Sequence, residues 1–210
     1  MTDAAEPIDL RRRGDARLLV SRIAADLIWQ NGITATRGDD IAAAAGIATR
    51  TLWRYFRSKE ACIEPVLIES GRRFVTVLSG WPLELSIDDY LAASAPSGSV
   101  TYSPDDIRAM RMVALGFSEP ALRSVWLMVC ETAERESRAV FASRMGVPLD
   151  SPEARRIAAS VAGAIRALND ALSTDYVERE VAPAATDVLA AVGQAIREAS
   201  GGRVGEAVSR

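Results

Sequence analysis

Between residues 36 and 60 two short, apolar-patterned segments meet at a single glycine, and few folds accept that arrangement. The string opens Thr36-Arg37-Gly38-Asp39-Asp40-Ile41-Ala42, passes Ala45-Gly46-Ile47-Ala48, and closes Thr49-Arg50-Thr51-Leu52-Trp53-Arg54-Tyr55-Phe56-Arg57-Ser58-Lys59-Glu60. The spacing predicts one helix from Asp39 or Asp40 through Ala45 and another over about 49–55. Gly46 lacks a Cβ, so the chain can reverse sharply there. Ile41, Ala42 and Ala45 then face Ile47, Leu52 and Phe56 across a steep angle. Thr49, Arg50, Trp53 and Arg54 are left pointing outward. Small and basic residues at a helix start suit entry into the major groove of DNA, where bulk would keep the backbone out.

The rest of the chain is punctuated the same way. Arg11, Arg12 and Arg13 lead into a helix with Leu19, Ile23, Leu27 and Ile28 on one face, ended by Asn31-Gly32. Ser58 reads as the N-cap of a fourth helix reaching about Leu78, with Glu60 in its first turn and Pro65 as a kink. A short helix over Ile87–Ala93 precedes a Ser-, Pro- and Gly-rich loop over Ala95–Ser103. Pro104 opens a helix to about Leu115. Another begins at Glu119-Pro120 and reaches about Met145, with Leu122, Trp126, Val129, Ala133, Ser137, Val140 and Phe141 on one face. Ser151-Pro152-Glu153 starts a helix to about Leu172, and a last one follows Pro183 and stops before Gly201-Gly202. No segment alternates as a strand does. The expected fold is all-α: a three-helix helix-turn-helix domain over 10–57 and a larger helical domain over 58–201.

Charge separates these parts. From Leu10 to Glu60 ten Lys/Arg stand against five Asp/Glu, a net +5, while residues 61–210 carry fifteen against twenty, a net −5. A basic head on an acidic body fits a polyanion at one end, although chance clustering gives the same sums. Histidine is absent, which removes triads with a histidine base and every zinc site that uses imidazole. No Gly-rich phosphate loop is present, and no acid, base or nucleophile constellation assembles, so the chain does not read as an enzyme. Cys62 and Cys130 lie far apart without a CxxC partner and read as buried thiols. No apolar run is long enough to cross a bilayer and no signal peptide is evident, which leads to a cytoplasmic expectation with no membrane partner.

The string from Asp40-Ile41-Ala42 through Ala45-Gly46-Ile47 to Thr51–Glu60 resembles the DNA-binding signature of the TetR family of transcriptional regulators. The resemblance covers about 50 residues, from Leu10 to Glu60, without gaps. It implies that Thr49 and Arg50 face base edges, that Thr51 and Tyr55 bond phosphates, and that Lys59 meets a phosphate. The interface it implies comprises Arg37, Ala48, Thr49, Arg50, Thr51, Trp53, Arg54, Tyr55 and Lys59. Two positions depart from the family. Ala48 stands where Ser or Thr usually caps the recognition helix, at a cost of about 1 kcal/mol unless Thr49 takes the role. Trp53 stands where Tyr is common; it either meets DNA or packs on the first helix. Lys59 is the only lysine beside 24 arginines, which suggests a place for a compact ammonium. Arg11–Arg13 either threads a minor groove or is a solvated cluster.

Over Met110–Leu172 the chain also resembles regulators whose C-terminal domain is like that of the mycofactocin regulator, through Ser118–Arg123 and Ser151–Ala158. That group implies no cofactor but a small-molecule effector of acyl-CoA-like kind. Phe74, Leu78, Met110, Val113, Phe117, Trp126, Val129, Phe141 and Ile165 are the residues expected around an apolar cavity, each of which also serves as ordinary core. Small residues recur at Ala158, Ala159, Ala162, Gly163, Ala164 and Ala167, and at Ala190, Ala191, Gly193 and Ala195. They allow close helix approach, within one subunit or across the two-fold axis of a homodimer through the last two long helices. The mechanism implied is repression of an operator by occupancy and release by ligand. An activator of the same fold, or a helical protein-interaction module without DNA binding, is the alternative.

Overall fold

The computed structural model describes residues 8–94 and 100–208, with side chains from residue 14 onward. Nine α-helices are present among them: α1 (Ile8–Asn31), α2 (Gly38–Ala44), α3 (Thr49–Tyr55), α4 (Glu64–Ser79), α5 (Ile87–Ser94), α6 (Pro104–Leu115), α7 (Pro120–Met145), α8 (Pro152–Arg179) and α9 (Ala185–Ala199). A 3-10 turn over Glu60–Ile63 leads into α4. No strand occurs among the described residues, so the all-α expectation holds. Among the described residues no helix is long and apolar enough to cross a membrane.

Compactness divides the chain into two units. One comprises Met1–Ser70 and Pro104–Trp126, the other Gly71–Ser103 and Leu127–Arg210. The division falls inside α4 and α7, and it draws α6 to the N-terminal helices rather than following a single boundary near residue 57.

In the first unit the predicted packing forms. Ile41, Ala42, Leu52 and Phe56 are buried with Val20, Ala24 and Cys62, and Ala45 and Ile47 lie against them. Gly46 adopts φ +65°, the left-handed region, and the Ile47 N–H closes back to the Ala42 carbonyl at 3.0 Å. That is a Schellman end, which a Cβ at residue 46 would strain. The predicted face of α1 holds at Leu27 and Ile28 but not at Leu19. Leu19 is 52% exposed, while Val20, Ala24, Ala25 and Ile28 are buried. The small side chains at 24 and 25 let the neighbouring helices come close, and Leu19 would hold them off. Burial pushes the Cys62 thiol up to about 12, so it stays protonated; Cys130 is only half-buried.

An ionic brace ties α1 to α6. Arg22 grips Asp105 with one edge of its guanidinium, Nε to Oδ1 at 2.9 Å and Nη2 to Oδ2 at 2.6 Å. Arg108 donates to Asp26 at 2.9 and 3.0 Å and to Asp105 at 3.1 Å. Arg111 stacks over the Trp29 ring at 5.0 Å. Paired forks of this kind fix geometry as well as charge.

The second unit centres on Leu78, Trp81, Ile87, Leu91, Phe141, Ile157, Ala158, Val161, Ile165 and Ile196. α8 begins as expected, with Ser151 Oγ accepting from the Ala154 N–H at 3.1 Å and Pro152 following. It runs to Arg179, seven residues beyond the predicted Leu172, since no glycine or proline intervenes and Glu180 supplies the left-handed stop at φ +53°. Pro65 does not kink α4; it lies at the second position, where 3-10 gives way to α-helix. Arg144, 5% exposed, gathers the loop before α5 and the C-terminal segment. It donates to the carbonyls of Pro82, Leu85 and Glu206, each at 2.8 Å, with its guanidinium 3.4 Å from the centre of the Trp81 ring.

The brace sets a pH dependence. The hydrogen bond from Arg22, then the charges of Arg22 and Arg108, hold the Asp105 carboxyl below its ordinary value against the opposing effect of burial. A depressed folded value stabilises the fold above the unfolded carboxyl pKa, and that contribution disappears as pH falls through the folded value. Asp105→Asn should therefore cost about 1–2 kcal/mol at neutral pH, with Arg22 left half in water. The difference from the natural chain should shrink below about pH 4 in urea-unfolding series. A gap that stays constant down to acid pH would contradict the assignment.

Candidate nucleic-acid interface

The candidate interface is built on the start of α2 and the outer face of α3. The two helices are held at a fixed angle by the core beneath them, in which Leu52 and Ile41 are fully buried. Arg50, Trp53 and Arg54 are exposed, and Thr49, Thr51 and Tyr55 are half-buried. Arg50 has no ion-pair partner among the described residues, and Arg54 lies 5.4 Å over the Tyr55 ring. Ala48 occupies the cap position of α3 without a side-chain bond, as expected from its chemistry.

Thr49 does not take over that cap. Its hydroxyl donates to Asp39 Oδ1 at 2.8 Å, tying the recognition helix to the start of α2. Arg37 pairs with the same carboxylate at 3.3 Å, while its own N–H donates to Asp40 Oδ2 at 2.9 Å. The Thr49 bond, then Arg37, lower the Asp39 carboxyl below its usual range. Asp39 therefore stays ionised at the edge of a basic surface, and it orients one hydroxyl and one guanidinium there.

Trp53 reaches the first residue of α2. It is 45% exposed, and its ring lies against Gly38, the first residue of α2. A Cβ at Gly38 would stand 2.2 Å from Cζ2 of the indole and 2.6 Å from Cη2. Gly38 and Asp39 were invisible as site residues in the sequence. Asp39 read as a helix start, and nothing local linked Gly38 to a residue fifteen positions on.

Lys59 turns inward. Its ammonium donates to the carbonyls of Ile33 at 2.6 Å and Thr36 at 3.1 Å, closing the turn between α1 and α2. Two of its three donors are thus committed within the chain. Thr36 completes the turn through Oγ1 to the Gly32 carbonyl at 2.8 Å. The side chains of Arg11–Arg13 lie outside the described residues.

The nine residues expected around a cavity divide between the units. Leu78, Phe141 and Ile165 pack together in the second, with Phe74 against them, and Val129 is buried. Met110, Val113 and Trp126 are buried in the first. Phe117 lies apart from both cores. It is 62% exposed beyond the end of α6, with Arg123 5.0 Å over its ring. An open cleft of about 260 Å³ between α5 and α9 is lined by Asp88, Leu91, Ala92, Thr186, Leu189 and Ala190, none of them in the predicted set. Of the small residues, Ala158 lies in the core and Gly193 sits against Asp88, whereas Ala159, Ala167 and Ala190 remain exposed.

A supporting helix carrying two short helices crossed at a left-handed glycine, the second exposing its basic face, is a helix-turn-helix domain. Residues 22–66 match the family of bacterial regulatory proteins, tetR family. A stretch of 51 residues is 49% identical to a Mycobacterium tuberculosis (strain ATCC 25618 / H37Rv) protein assigned as the mycofactocin biosynthesis transcriptional regulator MftR, covering 24% of this chain. The match spans about a quarter (26%) of that relative's length. Among solved structures, a tetR-family transcriptional regulator from Streptomyces coelicolor superposes with a TM-score of 0.50 at 16% identity, covering 89% of this chain and 82% of its own. GusR of Salmonella enterica gives 0.52 at 19% identity, over 96% of this chain and 98% of its own. At such identities the two share the fold with this chain.

The lysine clasp has a measurable consequence. Lys59→Met should cost about 1–3 kcal/mol, because the Ile33 and Thr36 carbonyls lose a charged donor. Lys59→Arg should recover only part of it, since a planar fork does not replace a compact ammonium between two carbonyls of one turn. Thermal unfolding followed by circular dichroism reads both, and an unchanged midpoint for Lys59→Met would remove the clasp.

Proposed function

We propose that the protein is a ligand-responsive transcriptional regulator that binds a palindromic operator as a homodimer and represses by occupying it. The observation that carries this reading is the outer face of α3, where Arg50, Trp53 and Arg54 stand exposed on a domain of the tetR family. An exposed guanidinium on a recognition helix suits the paired acceptors of guanine in the major groove. Thr51 and Tyr55 lie at the flanks of that face, where phosphates would run, and the free donor of Lys59 is available to a third.

Reading two half-sites about one turn apart, roughly 34–36 Å, requires two domains in fixed relation, and this supports a homodimer. The exposed small residues Ala159, Ala167 and Ala190 on α8 and α9 suit close approach by a second copy. An apolar or amphipathic effector, acyl-CoA-like in the group that the C-terminal sequence resembles, would release the operator to the extent that it binds the released state better.

The test is selection of genomic fragments with the purified protein at about 150 mM salt, a level that suppresses purely electrostatic binding. Recovered fragments should share an inverted repeat. Arg50→Ala should then relax the preference at one position per half-site by about 1–3 kcal/mol. Recovery of no enriched sequence, before and after refolding to strip any bound effector, would overturn the regulator. An unchanged preference would remove Arg50 from base reading.

A further inference from the structure

We propose that Gly38 is a positioning residue for Trp53: its missing side chain lets the indole lie on the first turn of α2, presetting that ring for DNA. The proposal rests on the operator-binding reading above and adds to it a residue that itself touches no DNA.

Three observations carry it. First, the space is taken. The ring atoms Cζ2, Cη2 and Cε2 of Trp53 lie 2.2, 2.6 and 3.3 Å from where a Cβ at residue 38 would stand. Cβ atoms essentially never approach a neighbour more closely than 3.0 Å, so any side chain at 38 displaces the ring. Second, glycine gains α2 nothing by itself. It is a poor helix former, and α2 is only seven residues long. The contact with the indole supplies the reason that helix stability does not. Third, the ring bridges two elements and stays 45% exposed, so it is held and presented at once.

The Thr49–Asp39 bond lies beside it, so residues 38 and 39 of α2 meet residues 53 and 49 of α3. The start of α2 and the outer face of α3 thereby form one rigid surface. A free tryptophan on a helix surface samples several rotamers and loses that freedom on binding. One already laid against a backbone has lost it on folding, so the complex gains the contact at less entropic cost.

The clashing atoms are the far end of a half-exposed side chain, which can swing outward. Gly38→Ala should therefore fold, with a melting temperature equal to or above that of the natural chain. It should nonetheless bind the selected operator about tenfold more weakly, the size of one lost contact of this class. Trp53→Ala should weaken binding to a similar degree, and the double variant should be no weaker than Trp53→Ala alone, since the two substitutions remove one interaction. The double variant also serves as the folded control, with nothing left to clash. The emission of Trp53, taken as the difference from Trp53→Phe, should shift to the red in Gly38→Ala as the ring leaves α2.

Gly38→Ala binding as tightly as the natural chain, losses that multiply in the double variant, or an unshifted emission would each overturn the pairing while leaving the regulator intact. Failure of the natural chain itself to enrich any DNA would overturn both.

Discussion

Carbonyl groups in the connections between helices must find donors, and one cation in each compact unit gathers several of them. In the first, Lys59 closes the turn between α1 and α2 through the carbonyls of Ile33 and Thr36. In the second, Arg144 collects Pro82, Leu85 and Glu206. The choice of cation follows the spacing of the acceptors. Two carbonyls of one tight turn suit a compact ammonium, and carbonyls from two separate segments suit a flat fork that also stacks on Trp81. A buried carbonyl without such a partner would lose more than a single bond is worth, because the desolvated group is left unpaired.

The same economy shapes the face of α3. Ala48 gives α3 no cap, and the neighbouring hydroxyl of Thr49 is used sideways, on Asp39, rather than on its own helix. α3 thus gives up some local stability and gains attachment to α2. On the other side of α1 the paired guanidinium–carboxylate forks reach α6, so the helix under the helix-turn-helix is held both by apolar packing and by charges that dictate direction.

Much of this was legible in the sequence. The turn at Gly46, the burial of Ile41, Ala42, Leu52 and Phe56, the apolar face of α7 and the Ser151-Pro152 start of α8 all follow from local chemistry that near neighbours decide. What was not legible depends on partners distant in sequence. Leu19 and Val20 satisfy a helical period about equally well, and only the close approach of neighbouring helices selects Val20. Phe117 is apolar by type, yet it sits past the end of α6 and is largely exposed, with Arg123 over its ring. Lys59 stands out as the only lysine, but its carbonyl partners lie 23 and 26 residues upstream, and no sequence rule connects them. Gly38 and Trp53 are a matched pair whose logic exists only once α2 and α3 cross.

The lysine clasp gives the molecule an internal clock for its own opening. Lys59 carries the one side-chain amine in the sequence, and in the closed turn that amine is engaged on two carbonyls. An acylating reagent needs the neutral, unbonded amine, so the speed of labelling at this residue counts excursions in which the 33–36 turn lets go. The 24 arginines are inert to the same reagent, so among side chains the label falls at Lys59, and mapping its position separates it from the α-amino group. A rate of covalent modification becomes a local equilibrium constant for the turn before α2, read at a residue of the natural sequence.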